Sequence, residues 1–212
     1  MPAVIRPSRG LDESFHEFLR HTAPRLLIAQ FAVLAIARGL LSNWSWTDAI
    51  VAGSLIAAQP FTEWVLHVMV LHCPADGGRR DRAAGYAHRR HHEEPRDLRY
   101  QFLHPNIVYG GMVVDLVILA VFRNNAALTG VLMATALTLV YEWIHFLIHT
   151  DYQPKHELYR RLHRAHRLHH FRNEQYWLGV TARTGDRVLG TNPRKEDVEI
   201  SPTAKTALAA RN

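Results

Sequence analysis

The chain has 212 residues, enough for one ordinary domain, with 25 Lys+Arg against 19 Asp+Glu and a formal net charge of +6. Its single cysteine, Cys73, excludes a disulfide framework and a thiolate metal cluster, so any metal must be held by nitrogen or oxygen. The 15 histidines far exceed what packing requires, and imidazole suits iron, zinc, copper and nickel.

Residues 1–23 form a charged N-terminal segment, with His16 and His21 expected on the surface of an amphipathic helix. No short apolar stretch followed by a cleavage site occurs there, so no cleavable signal is expected. Four apolar blocks follow, at about 24–42, 48–72, 107–122 and 126–149. A membrane-spanning helix needs about 20 mostly apolar residues. The strictly uncharged runs are shorter (26–37, 49–62, 107–114 and 126–141), so each helix must extend past its run.

A soluble helical core is the competing reading, and the charges decide against it. Residues 1–25 hold four Arg, 73–106 hold seven, and 150–212 hold twelve Lys+Arg, leaving only Arg38 and Arg123 elsewhere. This is the positive-inside pattern: four spans with both termini cytoplasmic, in the inner membrane if the source is bacterial. A soluble nucleic-acid binder would not need its basic residues to alternate with long apolar blocks, so no nucleic-acid partner is expected. Asp115, inside the third block, is costly in lipid and is expected to face the bundle interior or a polar cavity, with a substrate contact as the functional alternative. Pro60 is expected to kink the second helix. The stretch 192–212, without apolar periodicity after Pro202, is expected to be a disordered tail.

Histidines stand in four groups: His67 and His72; His88, His91 and His92; His145 and His149; His166, His169 and His170. On a helix, His145 and His149 share a face, and each His-x-x-His-His triad spans an arc of about 100°, wide enough to straddle two metals. His67 and His72, at i and i+5, open to about 140° on an ideal helix. Either they serve different metals or the helix end is distorted. Ten imidazoles exceed the needs of one ion and suit two, with four or five nitrogens each.

The groups also repeat. Glu63 to Glu142 and Trp64 to Trp143 are offsets of 79; His67 to His145 is 78 and His72 to His149 is 77; each member of the two triads is 78 apart. The pattern reads as two copies of one unit, a membrane hairpin ending in histidines and then a helix carrying His-x-x-His-His. Outside it, His163 and His156 are candidates for additional ligands or support to the ligands, whereas His104 lies in a loop. Glu63 and Glu142 lie one turn before His67 and His145, where a carboxylate can take the second N–H of a metal-bound ring. Pairing with interfacial Arg, or direct metal ligation, are the alternatives for these two.

The order His-x4-His, His-x-x-His-His, His-x3-His, His-x-x-His-His resembles the fatty acid hydroxylase superfamily, which includes sterol desaturases and fatty acid 2-hydroxylases. The stretch from His169 to Thr191, with its Gly-Val-Thr…Asp…Gly-Thr pattern, is similar to the close of that family's domain. The resemblance covers about 60–191. It implies an all-α fold, four transmembrane helices under a cytoplasmic helical cap, with 24–191 as the membrane domain. It implies two iron ions on the ten histidines, zinc as a substitute in purified protein, O2 as oxidant and a membrane lipid as substrate. It also implies an external electron donor. No cytochrome b5-like segment is evident in the sequence, so a separate cytochrome b5-like or ferredoxin-like carrier is expected.

Oxygen insertion into a fatty acyl C–H bond needs an oxidant that no side chain supplies, and iron with O2 supplies it. The alternatives are a related dimetal desaturase or carotenoid or sterol oxidase, and a non-enzymatic membrane metal-binding or transport protein. A b-type haem protein would place axial histidines well inside the bilayer, and a zinc protease would need His-Glu-x-x-His, which the chain lacks.

Overall fold

Four long helices carry the apolar blocks in the computed structural model, which describes residues 10–72 and 85–209. They are α2 (Thr22–Leu41), α3 (Trp46–Leu66), α5 (Pro105–Phe122) and α6 (Asn125–His149), each long and apolar enough to cross a membrane. Ahead of them runs a short amphipathic helix, α1 (Leu11–Phe18). Two polar helices, α4 (Tyr86–Glu93) and α7 (Glu157–Phe171), carry the His-x-x-His-His triads. A short α8 (Thr184–Val188) and α9 (Pro202–Ala209) complete the chain, and no strand occurs among the described residues. The readings on residues 1–9, Cys73, Arg79, Arg80, Arg82 and 210–212 lie outside the described residues.

The helices run past their uncharged stretches by giving the buried charges they include a partner. Ser45 caps α3 through a reciprocal box with Asp48. Asp48 in turn pairs with Arg38 of α2 at 3.0 Å, while Thr129 of α6 accepts from Arg38 Nε at 2.8 Å and donates to Asp48 at 2.5 Å. Arg38 is wholly buried and its guanidinium lies 3.7 Å over the Trp44 ring. Three spans are thus bolted together at one end of the bundle by a single paired charge. Asp115 of α5 accepts from Gln30 of α2 at 2.6 Å, a partner facing the bundle as a membrane carboxylate requires. The two short connectors lie at that same end, where Asn125 donates to Asn43.

The histidines all gather at the other end. There α1 seats Phe18 among Phe102, Trp143 and Phe146, with ring centroids 5.1–5.7 Å apart. The chain's last part differs from its expected disorder. Residues 202–209 form α9, which packs on α4 and α7, and Ser201 and Ala204 are buried. Ser201 caps this helix by accepting from the Ala204 amide at 3.2 Å. One turn of cap and a small buried Ala hold the segment, which is too little apolar signal for periodicity to register.

Candidate metal centre

The ten histidines singled out by spacing converge into two groups of five. His67, His72, His88, His92 and His169 form the first; His91, His145, His149, His166 and His170 form the second. Within each group the candidate ligand atoms all lie within 4.8 Å of one another. The sorting explains the triads. In each, the outer pair at i and i+4 serves one group and the middle histidine crosses to the other, so His91 joins the second and His169 the first. The offset of about 78 residues maps each group onto the other, giving a centre with pseudo-twofold symmetry.

The i, i+5 pair is resolved by a local distortion. Residues His67–Leu71 form a π-turn, closed by the His72 amide donating to the His67 carbonyl at 2.9 Å. The wider turn brings the two rings into a stack with centroids 5.0 Å apart, in the same group. The alternative in which they serve different metals is thereby set aside.

The nitrogen contacts fit metal ions and not hydrogen bonds. His88 Nε2 lies 3.0–3.1 Å from the Nε2 atoms of His67, His72 and His92. One imidazole nitrogen carries either one proton or one lone pair, so it cannot satisfy three such neighbours. His67 Nδ1 faces the Leu178 carbonyl at 2.6 Å and His169 Nδ1 faces the Tyr176 carbonyl at 2.8 Å. A carbonyl only accepts, so both rings carry their proton on Nδ1 and aim an Nε2 lone pair inward. Two nitrogens at right angles around an ion, with bonds of about 2.1 Å, stand about 3.0 Å apart, and these contacts match that spacing. Burial drives the His88, His91, His92, His166, His169 and His170 rings toward their neutral, metal-binding form, and takes His72 down to about 4, with Arg89 adding to the effect.

Glu63 and Glu142 are buried, but neither touches an imidazole, among the hydrogen bonds described. Glu63 accepts from the amides of Val180 and Thr181 and from the Thr181 hydroxyl at 2.5 Å. Glu142 faces the Leu103 amide instead; at Glu63 the direct carboxylate–imidazole pairing expected from spacing gives way because the Leu178 carbonyl already occupies the second nitrogen of His67. Asp186 does the same for the preceding residues, accepting from the Leu178 and Gly179 amides at 2.9 and 2.8 Å. Four successive amides, 178–181, are therefore clamped by two buried carboxylates, and the carbonyls of this strap hold His67 and His169. Trp177, between those carbonyls, has φ 55°, and this left-handed step turns both toward the centre. Gly179 and Gly185 allow the close fit: a Cβ would meet the Ala182 carbonyl oxygen at 2.0 Å and the Pro60 carbonyl oxygen at 2.4 Å, respectively.

The second group has a thinner counterpart. Glu142 accepts from the Leu103 amide at 3.2 Å, and the Gln101 side chain donates to the Phe146 carbonyl at 3.1 Å. His163 and His156 stay outside both groups. His163 sits one turn, about 4.5 Å of helix rise, before His166, and lines a basic groove with Arg160, Arg164 and Arg167. His156 is the exposed residue preceding α7. His104 precedes α5 and accepts from the Asn106 amide. Sequence reading missed Asp186, Thr181 and the main-chain carbonyls; the Gly-Val-Thr…Asp pattern was their only trace.

An apolar groove of about 460 Å³ opens between α3, α5 and α6, with His67 and Tyr141 in its wall. Leu55, Leu66, Ile107 and Leu137 line it.

Residues 52–191 match the family profile described as fatty acid hydroxylase. The chain is 28% identical over 197 residues to the dihydroceramide fatty acyl 2-hydroxylase FAH2 of Arabidopsis thaliana, covering 89% of this chain and 81% of that protein. It also shares its fold with the hydroxylase domain seen in the structure of full-length scs7p, at a TM-score of 0.64 and 22% identity, over 83% of this chain and 68% of that one.

Proposed function

The chain belongs to the fatty acid hydroxylase family, and from that premise we propose that it is a dimetal membrane enzyme that hydroxylates a fatty acyl chain with O2. The observation that carries the reading is the pair of five-histidine groups beside an apolar groove lined by three of the spans, with His67 in its wall. The reaction balances as R–H + O2 + two electrons + two protons giving R–OH + H2O. Two iron ions, when bound by the two groups, would supply the O2 activation and oxidising power.

The protein's own residues do the rest. From Leu55 to His67 the groove follows α3 for twelve residues, about 18 Å. Its apolar wall takes up the acyl chain, and His67 and Tyr141 in that wall present the head of that chain to the centre. The relative's 2-hydroxylase activity makes C2 of an acyl chain the position to examine first. The packed rings and the strap exclude bulk water from the nitrogen ligands, of which His91, His166 and His169 have no exposed surface.

Electrons enter from an acidic carrier protein on the opposite face of α7. That face holds Arg160, Arg164 and Arg167, joined by Arg172 and Lys195, around a groove of about 750 Å³, while the inner face holds His166, His169 and His170. The distribution of Lys+Arg supports placing this face and both termini in the cytoplasm. Reporter fusions at Asn43 and Asn125 should read opposite to a fusion at Asn212; the same side for all three contradicts that orientation.

The activity is tested by comparing the lipids of a host with the wild-type chain, the His91→Ala chain and no chain. A hydroxylated acyl species present only with the wild type is the expected result. Identical lipid profiles in all three, with the wild-type chain folded and metal-loaded, would sink the proposal.

A further inference from the structure

The two histidine groups are related by sequence repeat, yet their supports differ. In the first group, His67 and His169 each give their second nitrogen to a carbonyl of the strap 176–181, and Glu63 and Asp186 clamp that strap with six hydrogen bonds from the Leu178, Gly179, Val180 and Thr181 amides and the Thr181 and Thr191 hydroxyls. In the second group, Glu142 accepts one hydrogen bond, from the Leu103 amide. The buried Nδ1 atoms of His91, His166 and His170 have no hydrogen-bond partner among the described residues, against His92 alone in the first group.

A ligand ring whose second nitrogen is hydrogen-bonded is fixed in tautomer and orientation and is the more basic donor; losing such a partner typically weakens metal affinity about 10–100-fold. We infer that the two groups bind their ions unequally: the first is the tight site, made so by the clamped strap, and the second is the exchangeable one. Glu63 is then a positioning residue for the first ion alone, acting through Val180, Thr181 and the Leu178 carbonyl on His67. The inference rests on the dimetal reading, since it assigns a different affinity to each of the two ions. An ion that leaves first from the second group would also make that half of the centre the one that limits assembly of the active enzyme.

The test uses the folded, full chain in detergent, dialysed to equilibrium against zinc buffers, with zinc per chain as the readout. The wild type should fill in two steps separated by about 10–100-fold in free zinc. His149→Ala, in the second group, should remove the weaker step and leave the tighter one. Glu63→Gln places an amide NH2 against the strap's own donors, and should move the tighter step toward the weaker while leaving the weaker in place. Glu63→Asp, which keeps a carboxylate, should recover part of the shift. One unresolved step holding two ions overturns the inference, as does loss of the tighter step in His149→Ala or an equal shift of both steps in Glu63→Gln. A wild type that takes up fewer than two ions fails the dimetal reading itself, a result distinct from any of these.

Discussion

A buried imidazole that stays neutral carries a consequence for stability. Burial takes His72 and His163 down to about 4, with Arg89 and Arg167 respectively adding to it, and holds the six triad histidines well below their ordinary value near 6.5. Their folded-state values lie below the unfolded ones, so between about 4 and 6.5 the unfolded chain binds more protons, and stability rises with pH across that window. The metal-free protein should therefore melt at progressively lower temperature as the pH is taken from 7 to 5, with the stabilisation fully present only above about 6.5. A melting temperature that is flat or rises over that interval would contradict the burial of these rings. The residues that supply this behaviour were legible in the sequence because each carries its chemistry in its side chain. Their supports were not: the Leu178 and Tyr176 carbonyls are main-chain groups, invisible to any reading by residue type. Glu63 and Glu142 were found at the right turn of the helix but assigned to the wrong neighbour, because spacing along α3 and α6 says nothing about what the strap and the 101–103 loop bring in from a distance.

Helices were easier to read than their ends. The four spans follow from apolar block length, and the triads from three-residue and four-residue spacing. The distortion over His67–Leu71 was legible as a conflict, since an i, i+5 pair cannot share a face on a regular helix, but only the structure decides that the helix yields and the pair stays together. α9 escaped notice because its anchors are a serine cap and a buried alanine. Arg38 stood out as a charge in an apolar block, and its role is to join α2, α3 and α6 through Asp48 and Thr129. Arg38→Met leaves Asp48 without its cation and should lower the melting temperature, because a carboxylate shielded from solvent then has no charge partner. The Arg38→Met, Asp48→Asn double variant should recover part of that loss, because no unpaired charge remains. Thermal melting in detergent measures both. Zinc per chain should stay at the wild-type value in the folded variants, since this network lies at the end of the bundle away from the histidines; an unchanged melting temperature for Arg38→Met would remove Arg38 from the account of how the spans are held.

At the scale of the whole molecule, α7 carries histidines of both groups and, around His163, a basic groove that we propose as the docking face for an electron carrier. An encounter of that basic face with an acidic carrier would be steered by charge and screened by salt. Arg164→Glu combined with Arg167→Glu should slow reduction of the iron-loaded protein by an acidic carrier several-fold at low salt, and the difference from wild type should shrink as salt is raised. Equal rates for variant and wild type at low salt would place docking elsewhere. The pseudo-twofold centre, the apolar groove and the basic face belong to one four-span bundle, and the joint product we propose for them is oxygen insertion into a lipid. That claim is tested most directly by supplying the iron-loaded protein with reductant, lipid and 18O2, and weighing the hydroxylated acyl chain by mass spectrometry. The account predicts one 18O atom in the new hydroxyl group, taken from O2. A hydroxyl oxygen that comes from water, or a product that has lost two hydrogens and gained no oxygen, would contradict it.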